Sequence, residues 1–170
     1  MDISSKDNIP KLNLDAKSDF DVVKSGRNFG ATLGLMISIY LIIINIAYSG
    51  SGEEVAIPMG IRFAKHLLII PAAWMAISAY ANSMEKGHVF KGGIGLLVRI
   101  GLWASLTIGA INLLFYIITS SSFAQFLNQG ETFLTATVNS GFLLFETMVF
   151  VMIIGFIILQ AFKDRGSPED

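Results

Sequence analysis

Four long stretches of the chain are apolar and almost free of charged residues. They cover residues 28–52, 66–84 and 100–130, and a fourth near 133–162 that only Glu146 interrupts. A bilayer hydrocarbon core about 30 Å thick is crossed by roughly 20 helical residues. Helices satisfy their own backbone hydrogen bonds, which lipid cannot do for loops. The pattern therefore predicts four transmembrane helices, near 29–48, 62–83, 93–119 and 133–162.

Polar segments flank and connect these spans. Residues 1–28 predict a cytoplasmic N-terminal tail that includes a short surface helix, with Ser18 as its N-cap. The capping-box pattern from Ser122 to Gln125 predicts a second short helix at the outer surface. Residues 163–170 form a predicted cytoplasmic C-terminal tail. The expected fold class is all-α: an integral membrane four-helix transmembrane bundle, residues 29–162, with short interfacial helices.

The distribution of Lys and Arg predicts the orientation of the chain. Nine of the twelve precede the first span, lie between the second and third, or follow the fourth. Cytoplasmic loops retain positive charges, so both termini are expected in the cytoplasm and the protein in the bacterial inner (cytoplasmic) membrane. A signal peptide cleaved near Ala47–Ser49 is the competing interpretation of the first span. The 27-residue charged leader and the length of the apolar run argue against it.

Composition narrows the function classes. The 170 residues are 53% hydrophobic and 15% charged, with a mean hydropathy of +0.62 and a net charge of −1. No basic excess favours nucleic acid, so none is expected as a partner. Without cysteine there is no thiolate metal site or thiol nucleophile, and the two histidines, His66 and His88, fall on opposite sides of the predicted membrane. No hydrolase or kinase motif occurs, so we expect no enzyme, metal or cofactor.

Small residues recur every four positions in the first and third spans. This spacing allows helix backbones to approach closely in lipid. The approach can serve packing within the bundle, which we favour, or contact with a second copy or another subunit. The predicted helix-packing residues are Gly30, Gly34, Gly101, Ser105 and Gly109.

An intramembrane polar cluster is the strongest candidate site. Glu146 lies near the middle of the fourth span, where a carboxylate is costly unless it is protonated, paired or hydrated. Asn139 lies seven residues earlier on the same stripe. Lys65 and His66 lie at the outer end of the second span and can approach Glu146, while Arg99 in the third span is the second candidate partner. The cluster is either an ion, proton or substrate pathway or a structural or subunit contact, and we favour the latter.

Two further features of the spans are unusual. Pro71 is expected to kink or loosen the second helix. Trp74 and Trp103 lie about midway along their spans, whereas tryptophan is enriched at the two interfaces. Such residues either fill the core of a bundle or anchor a partner or a lipid tail.

The chain resembles a family of uncharacterised bacterial four-helix inner-membrane proteins, a domain of unknown function. The resemblance rests on the opening Phe29–Leu35, the Met84–Gly95 stretch that enters the third helix, and the closing Ile157–Lys163. An arginine-rich cytoplasmic turn typical of that family is reduced here to Glu85 and Lys86. The resemblance implies an integral inner-membrane location and no catalytic activity.

Three functional hypotheses follow. We favour a non-enzymatic accessory, assembly or stabilising subunit of a larger membrane complex, with the lipid bilayer and other integral membrane subunits as partners. The alternative is a small homo-oligomeric transporter or channel in which Glu146, with Lys65 or Arg99, lines the path. An integral enzyme acting on lipid or quinone ranks third, since no pair of nucleophile and base is visible.

Overall fold

The computed structural model describes residues 20–49, 57–84, 89–123 and 132–162, and every element within them is helical. Four helical segments are long and apolar enough to cross a membrane. The described residues are therefore all-helical, and their four long apolar helices indicate a multi-pass membrane protein, as the uncharged stretches predict. The elements are α1 (Val22–Ser49), α2 (Met59–Ala64), a 3₁₀ turn (Lys65–Leu68), α3 (Ile69–Ser83), α4 (Val89–Thr119) and α5 (Phe133–Phe162).

The first helix of the described residues extends beyond the predicted span on its N-terminal side. α1 runs without a break from Val22 to Ser49, so its first turns fall within the predicted N-terminal tail. Asp21 caps it, since its Oδ1 accepts hydrogen bonds from the backbone N–H groups of Val23 and Lys24. The bond from the Lys24 N–H lowers the pKa of the Asp21 carboxyl. No proline follows this cap within α1, so the helix carries the exposed Lys24 and Arg27 directly into the span.

Three predicted features lie wholly or partly outside the described residues. These are the N-cap at Ser18, the greater part of the outer surface helix after Phe123, and the C-terminal tail 163–170.

The second span consists of α2, the 3₁₀ turn and α3 in succession. The turn ends three residues before Pro71. Proline has no N–H to donate to the carbonyl four residues earlier, here that of Leu67, and its ring crowds that carbonyl. The tighter 3₁₀ winding lies where the α-helical bond to this carbonyl is lost. The helix thus departs from regular α-helical winding next to Pro71, where the sequence predicts a kink or a loosening.

α4 lies at the centre of the bundle, between α1 and α5, while α3 packs mainly against α5. α1 and α4 run parallel, and they approach closely at the glycines of α1. A Cβ added to Gly30 would lie 2.6 Å from the carbonyl oxygen of Ile100, and one added to Gly34 would lie 2.6 Å from that of Ala104. These glycines therefore serve packing within the chain.

α4 and α5 run antiparallel, and leucines of each helix fill gaps at glycines of the other. Leu159 packs over Gly93, and Leu97 packs over Gly155. Further along α4, Gly101 faces Met148 and Val151 of α5. Ser105 is fully buried, and Gly109 approaches the backbone of Ser140. The two small-residue stripes thus serve different interfaces: that of α1 faces α4, and that of α4 faces α5.

Candidate functional site

A charged cluster joins the second span to α5 inside the bundle. Lys65 Nζ lies 2.7 Å from Glu146 Oε2 and donates a hydrogen bond to it. The Lys65 side chain is 5% exposed and that of Glu146 is 18% exposed, so both ions have left most of their water. Separate charges at this depth would be costly, and pairing offsets much of that cost. The positive charge of Lys65 and the negative charge of Glu146 therefore neutralise each other within the bundle.

His66 completes the cluster on the other carboxylate oxygen. Its Nε2 lies 3.4 Å from Glu146 Oε1, while its Nδ1 lies 3.0 Å from the carbonyl oxygen of Phe63. The imidazole stacks on the ring of Phe150, one helical turn beyond Glu146, with ring centroids 3.7 Å apart. His66 is buried, and its ring plane is fixed by Phe150 on one side and by the Phe63 carbonyl at its edge. We name Lys65, His66 and Glu146 the charged triad.

The local backbone places these side chains. Lys65 and His66 are consecutive residues of the 3₁₀ turn, and both are directed toward α5. Glu146 is about 20 Å along α5 from its N-terminal end, since each helical residue rises about 1.5 Å. The Tyr40 hydroxyl donates to the Ile61 carbonyl oxygen at 2.7 Å and so ties α1 to α2 just before the turn. The 3₁₀ turn and α5 thus carry the triad, and α1 supports the turn through Tyr40.

The two remaining members of the predicted polar cluster lie apart from the triad contacts. Arg99 folds back along α4, where its Nη1 donates to the Gly95 carbonyl oxygen at 3.3 Å, and its Cβ lies against Gly26 of α1. Asn139 is buried on α5, about two turns closer to the N-terminal end of the helix than Glu146. Of the two cations proposed as partners of Glu146, the structure selects Lys65 and places Arg99 at the α1–α4 interface.

A second buried polar group lies toward the C-terminal end of α4 and the N-terminal end of α5. Asn112 Nδ2 donates to Ser140 Oγ at 2.8 Å, and Ser122 Oγ donates to Asn112 Oδ1 at 3.0 Å. Ser140 Oγ in turn donates to the Ala136 carbonyl oxygen. Sequence analysis did not identify this network as a site. An asparagine within a long apolar run was the available signal, because a buried amide needs hydrogen-bonding partners.

The two mid-span tryptophans face outward. Trp74 is 47% exposed and Trp103 is 39% exposed, so neither fills the core of the bundle. Trp74 contacts only the edge of Phe162 among aromatic rings of the described residues, and the Trp103 Cβ packs beside Gly30. The two roles left open for these tryptophans were filling the core and anchoring a partner or a lipid tail. Both side chains lie on the surface, where lipid or a partner can contact them.

The chemistry that the contacts of the triad show is charge pairing. Among the described residues, no group of three or more His, Cys, Asp or Glu side chains could hold a metal ion. The triad offers one carboxylate and one imidazole together with a cation, a set suited to holding a proton or stabilising a helix contact.

No protein-family model, curated protein or solved structure matches the chain. Its functional assignment therefore rests on the residues and their geometry.

Proposed function

We propose that the protein is a non-enzymatic, multi-pass protein of the bacterial inner membrane that serves as an accessory, assembly or stabilising subunit of a larger membrane complex. One observation carries the proposal: Trp74 and Trp103 lie in the middle of their spans and project from the outside of the bundle. Tryptophan facing lipid is enriched at the interfaces with water, not at mid-span. Tryptophan is also among the residues most often found at the energetic centre of protein–protein contacts.

The internal contacts support the same proposal. The glycines of α1 and α4 pack against neighbouring helices of the same chain, and the charged triad joins the second span to α5. These features stabilise a rigid bundle, which then presents its outward tryptophans at fixed positions.

The decisive experiment is purification of the tagged protein from its native membrane in a mild detergent, followed by mass determination of what accompanies it. The proposal expects other integral membrane proteins in stoichiometric amounts. Replacing Trp74 or Trp103 by Leu should reduce that recovery at least severalfold, because each change removes a large aromatic contact. A monomer or a clean homo-oligomer from native membranes would refute the subunit role.

Matched controls are available next to each tryptophan. Met75 and Leu102 are 61% and 46% exposed and adjoin Trp74 and Trp103. Met75→Leu and Leu102→Met keep the side chains apolar and close in volume, so they should leave partner recovery unchanged. Equal losses in the controls and in the tryptophan variants would indicate a general loss of folding in place of a lost contact.

The second candidate is a small homo-oligomeric transporter or channel, which the charged triad favours because ionisable groups within spans often mark pathways. In this version Glu146 works with Lys65, and Arg99 has no part in the path. A four-helix chain needs self-association to enclose a wide aqueous route. Glu146→Gln would then abolish flux in proteoliposomes at unchanged protein content. In the subunit version the same variant weakens the complex and there is no flux to lose.

A further inference from the structure

We propose that the charged triad is an intramembrane proton-binding site, in which His66 Nε2 takes up one proton and shares it with Glu146 Oε1. This proposal goes beyond the subunit role and is independent of it. A protein can bind partners through its outer surface whether or not the triad takes up a proton.

The first step of the argument is the tautomer of His66. Its Nδ1 lies 3.0 Å from the Phe63 carbonyl oxygen, which can only accept a hydrogen bond. Nδ1 must therefore carry a proton for this contact to be favourable. In the neutral imidazole the other nitrogen is then an acceptor. The Phe63 carbonyl thus fixes Nε2 as the nitrogen that gains or loses a proton.

The second step is what Nε2 faces. It lies 3.4 Å from Glu146 Oε1, is buried, and makes no hydrogen bond within the described part of the chain. A neutral His66 would bring the lone pair of Nε2 toward a carboxylate oxygen, so two acceptors would face each other away from water. A buried polar atom without a partner is costly. A proton on Nε2 would draw the two atoms closer than 3.4 Å and replace this contact by a charge-assisted hydrogen bond.

The third step concerns the surrounding charges. Lys65 holds the other oxygen of the carboxylate at 2.7 Å, and Arg62, on the same span as His66, acts electrostatically on Lys65. α1 also packs on the 3₁₀ turn, and the hydroxyl of its Tyr40 donates its hydrogen bond to the Ile61 carbonyl oxygen. From α5, the ionisable side chain that faces His66 is Glu146. This carboxylate is therefore the charged group that favours an imidazolium at this position, against the opposing effects of burial and of the neighbouring Lys65 charge.

The proton balance is simple. A hydronium ion gives up one proton, so one O–H bond breaks and a water molecule remains, while one N–H bond forms at Nε2. No covalent bond of the protein breaks, and the summed charge of the triad changes from zero to +1. Glu146 then accepts from Lys65 at Oε2 and from His66 at Oε1. Proton uptake therefore adds a second hydrogen bond between the second span and α5.

The test is ¹⁵N nuclear magnetic resonance of the imidazole nitrogens, with the protein in lipid bilayers between about pH 5 and pH 9. His88 is the other histidine of the chain, so a His88→Gln background leaves a single imidazole to observe. At the high end of the range, His66 should carry its proton on Nδ1. As the pH falls, the Nε2 resonance should shift from that of an unprotonated to that of a protonated nitrogen.

The same titration of Glu146→Gln provides the decisive comparison. Without the carboxylate, His66 faces the positive charge of Lys65 with no opposing charge, so Nε2 should stay unprotonated down to about pH 5. An unchanged titration in this variant would overturn the proposal. The wild-type measurement stands alone if the variant fails to fold. A neutral His66 with its proton on Nε2, or a Nε2 resonance constant from pH 5 to pH 9, would also overturn it.

Discussion

At the scale of single residues, the balance of charge within the membrane dominates. The charges of Lys65 and Glu146 are each unfavourable in an apolar bundle. Their 2.7 Å contact lets each charge offset the cost of burying the other. Phe150 and the Phe63 carbonyl hold His66 beside them. Removing one member therefore leaves an uncompensated group and not merely a lost contact.

Lys65→Met and Glu146→Gln should each destabilise the bundle, and the double variant should recover part of the loss. Breaking a buried ion pair by removing one partner costs about 3–5 kcal/mol, whereas replacing both ions by neutral groups costs less. The free energy of unfolding, measured in mixed micelles of a mild detergent and SDS, tests this. Single-variant losses that simply add in the double variant would contradict a direct pair.

Arg99→Met is the control for that series. Its guanidinium donates to a carbonyl of its own helix at 3.3 Å and is remote from Glu146 in its contacts. Its effect should be about 1 kcal/mol, the usual net value of a hydrogen bond, and should add to that of Glu146→Gln. Coupling between Arg99 and Glu146 would mean that the ion pairs differ from those described.

At the scale of helices, close approach of backbones determines how α1 and α4 meet. The parallel pair leaves no room for a Cβ at Gly30 or Gly34, where the obstructing atoms include carbonyl oxygens of α4. Backbone atoms cannot rotate away as side chains do. The crossing of α1 and α4 therefore depends on these two residues.

Gly30→Ala and Gly34→Ala should each lower the free energy of unfolding by about 1–3 kcal/mol, the usual cost of overpacking. Gly141→Ala in α5 is the matched control, because no atom lies within 4 Å of an added Cβ there. Alanine also has the higher helix propensity, so the control should be neutral or slightly stabilising. Thermal unfolding of the three variants in the same detergent gives the comparison. Equal destabilisation at all three glycines would contradict the close approach.

At the scale of the whole molecule, the open question is the orientation of the bundle in the membrane, that is, which ends of its helices face the cytoplasm. Lysine and arginine are concentrated at the cytoplasmic side of the proposed topology. Met59 and Asn82 lie near opposite ends of the second span and both are exposed. The chain has no cysteine, so a single introduced thiol reports its own position.

Met59→Cys should react with a membrane-impermeant maleimide in intact spheroplasts, and Asn82→Cys only after the membrane is permeabilised. This follows because positive charges are retained in the cytoplasm and the second span then descends from the outer surface. Labelling is measured by the mass increase of the purified protein. The reverse pattern would place both termini outside.

The sequence alone determined the features that depend only on neighbouring residues in the chain. Four helical spans follow from four apolar stretches, because an unpaired backbone cannot remain in hydrocarbon. The change from α-helical to 3₁₀ winding before Pro71 follows from the missing N–H of proline. Glu146 was recognisable as a costly residue by its position in α5. Each of these conclusions depends on neighbours in the chain and not on distant contacts.

Only the tertiary structure decided which groups meet across helices. By sequence alone, either Lys65 or Arg99 could pair with Glu146. In the structure, α5 packs against α3 and the adjoining turn on the side that carries Lys65. Arg99 instead lies at the α1–α4 interface. The outward position of Trp74 and Trp103 was likewise undecided, because apolar residues surround every face of these helices. In lipid, hydrophobicity does not distinguish core from surface, so packing geometry makes that choice.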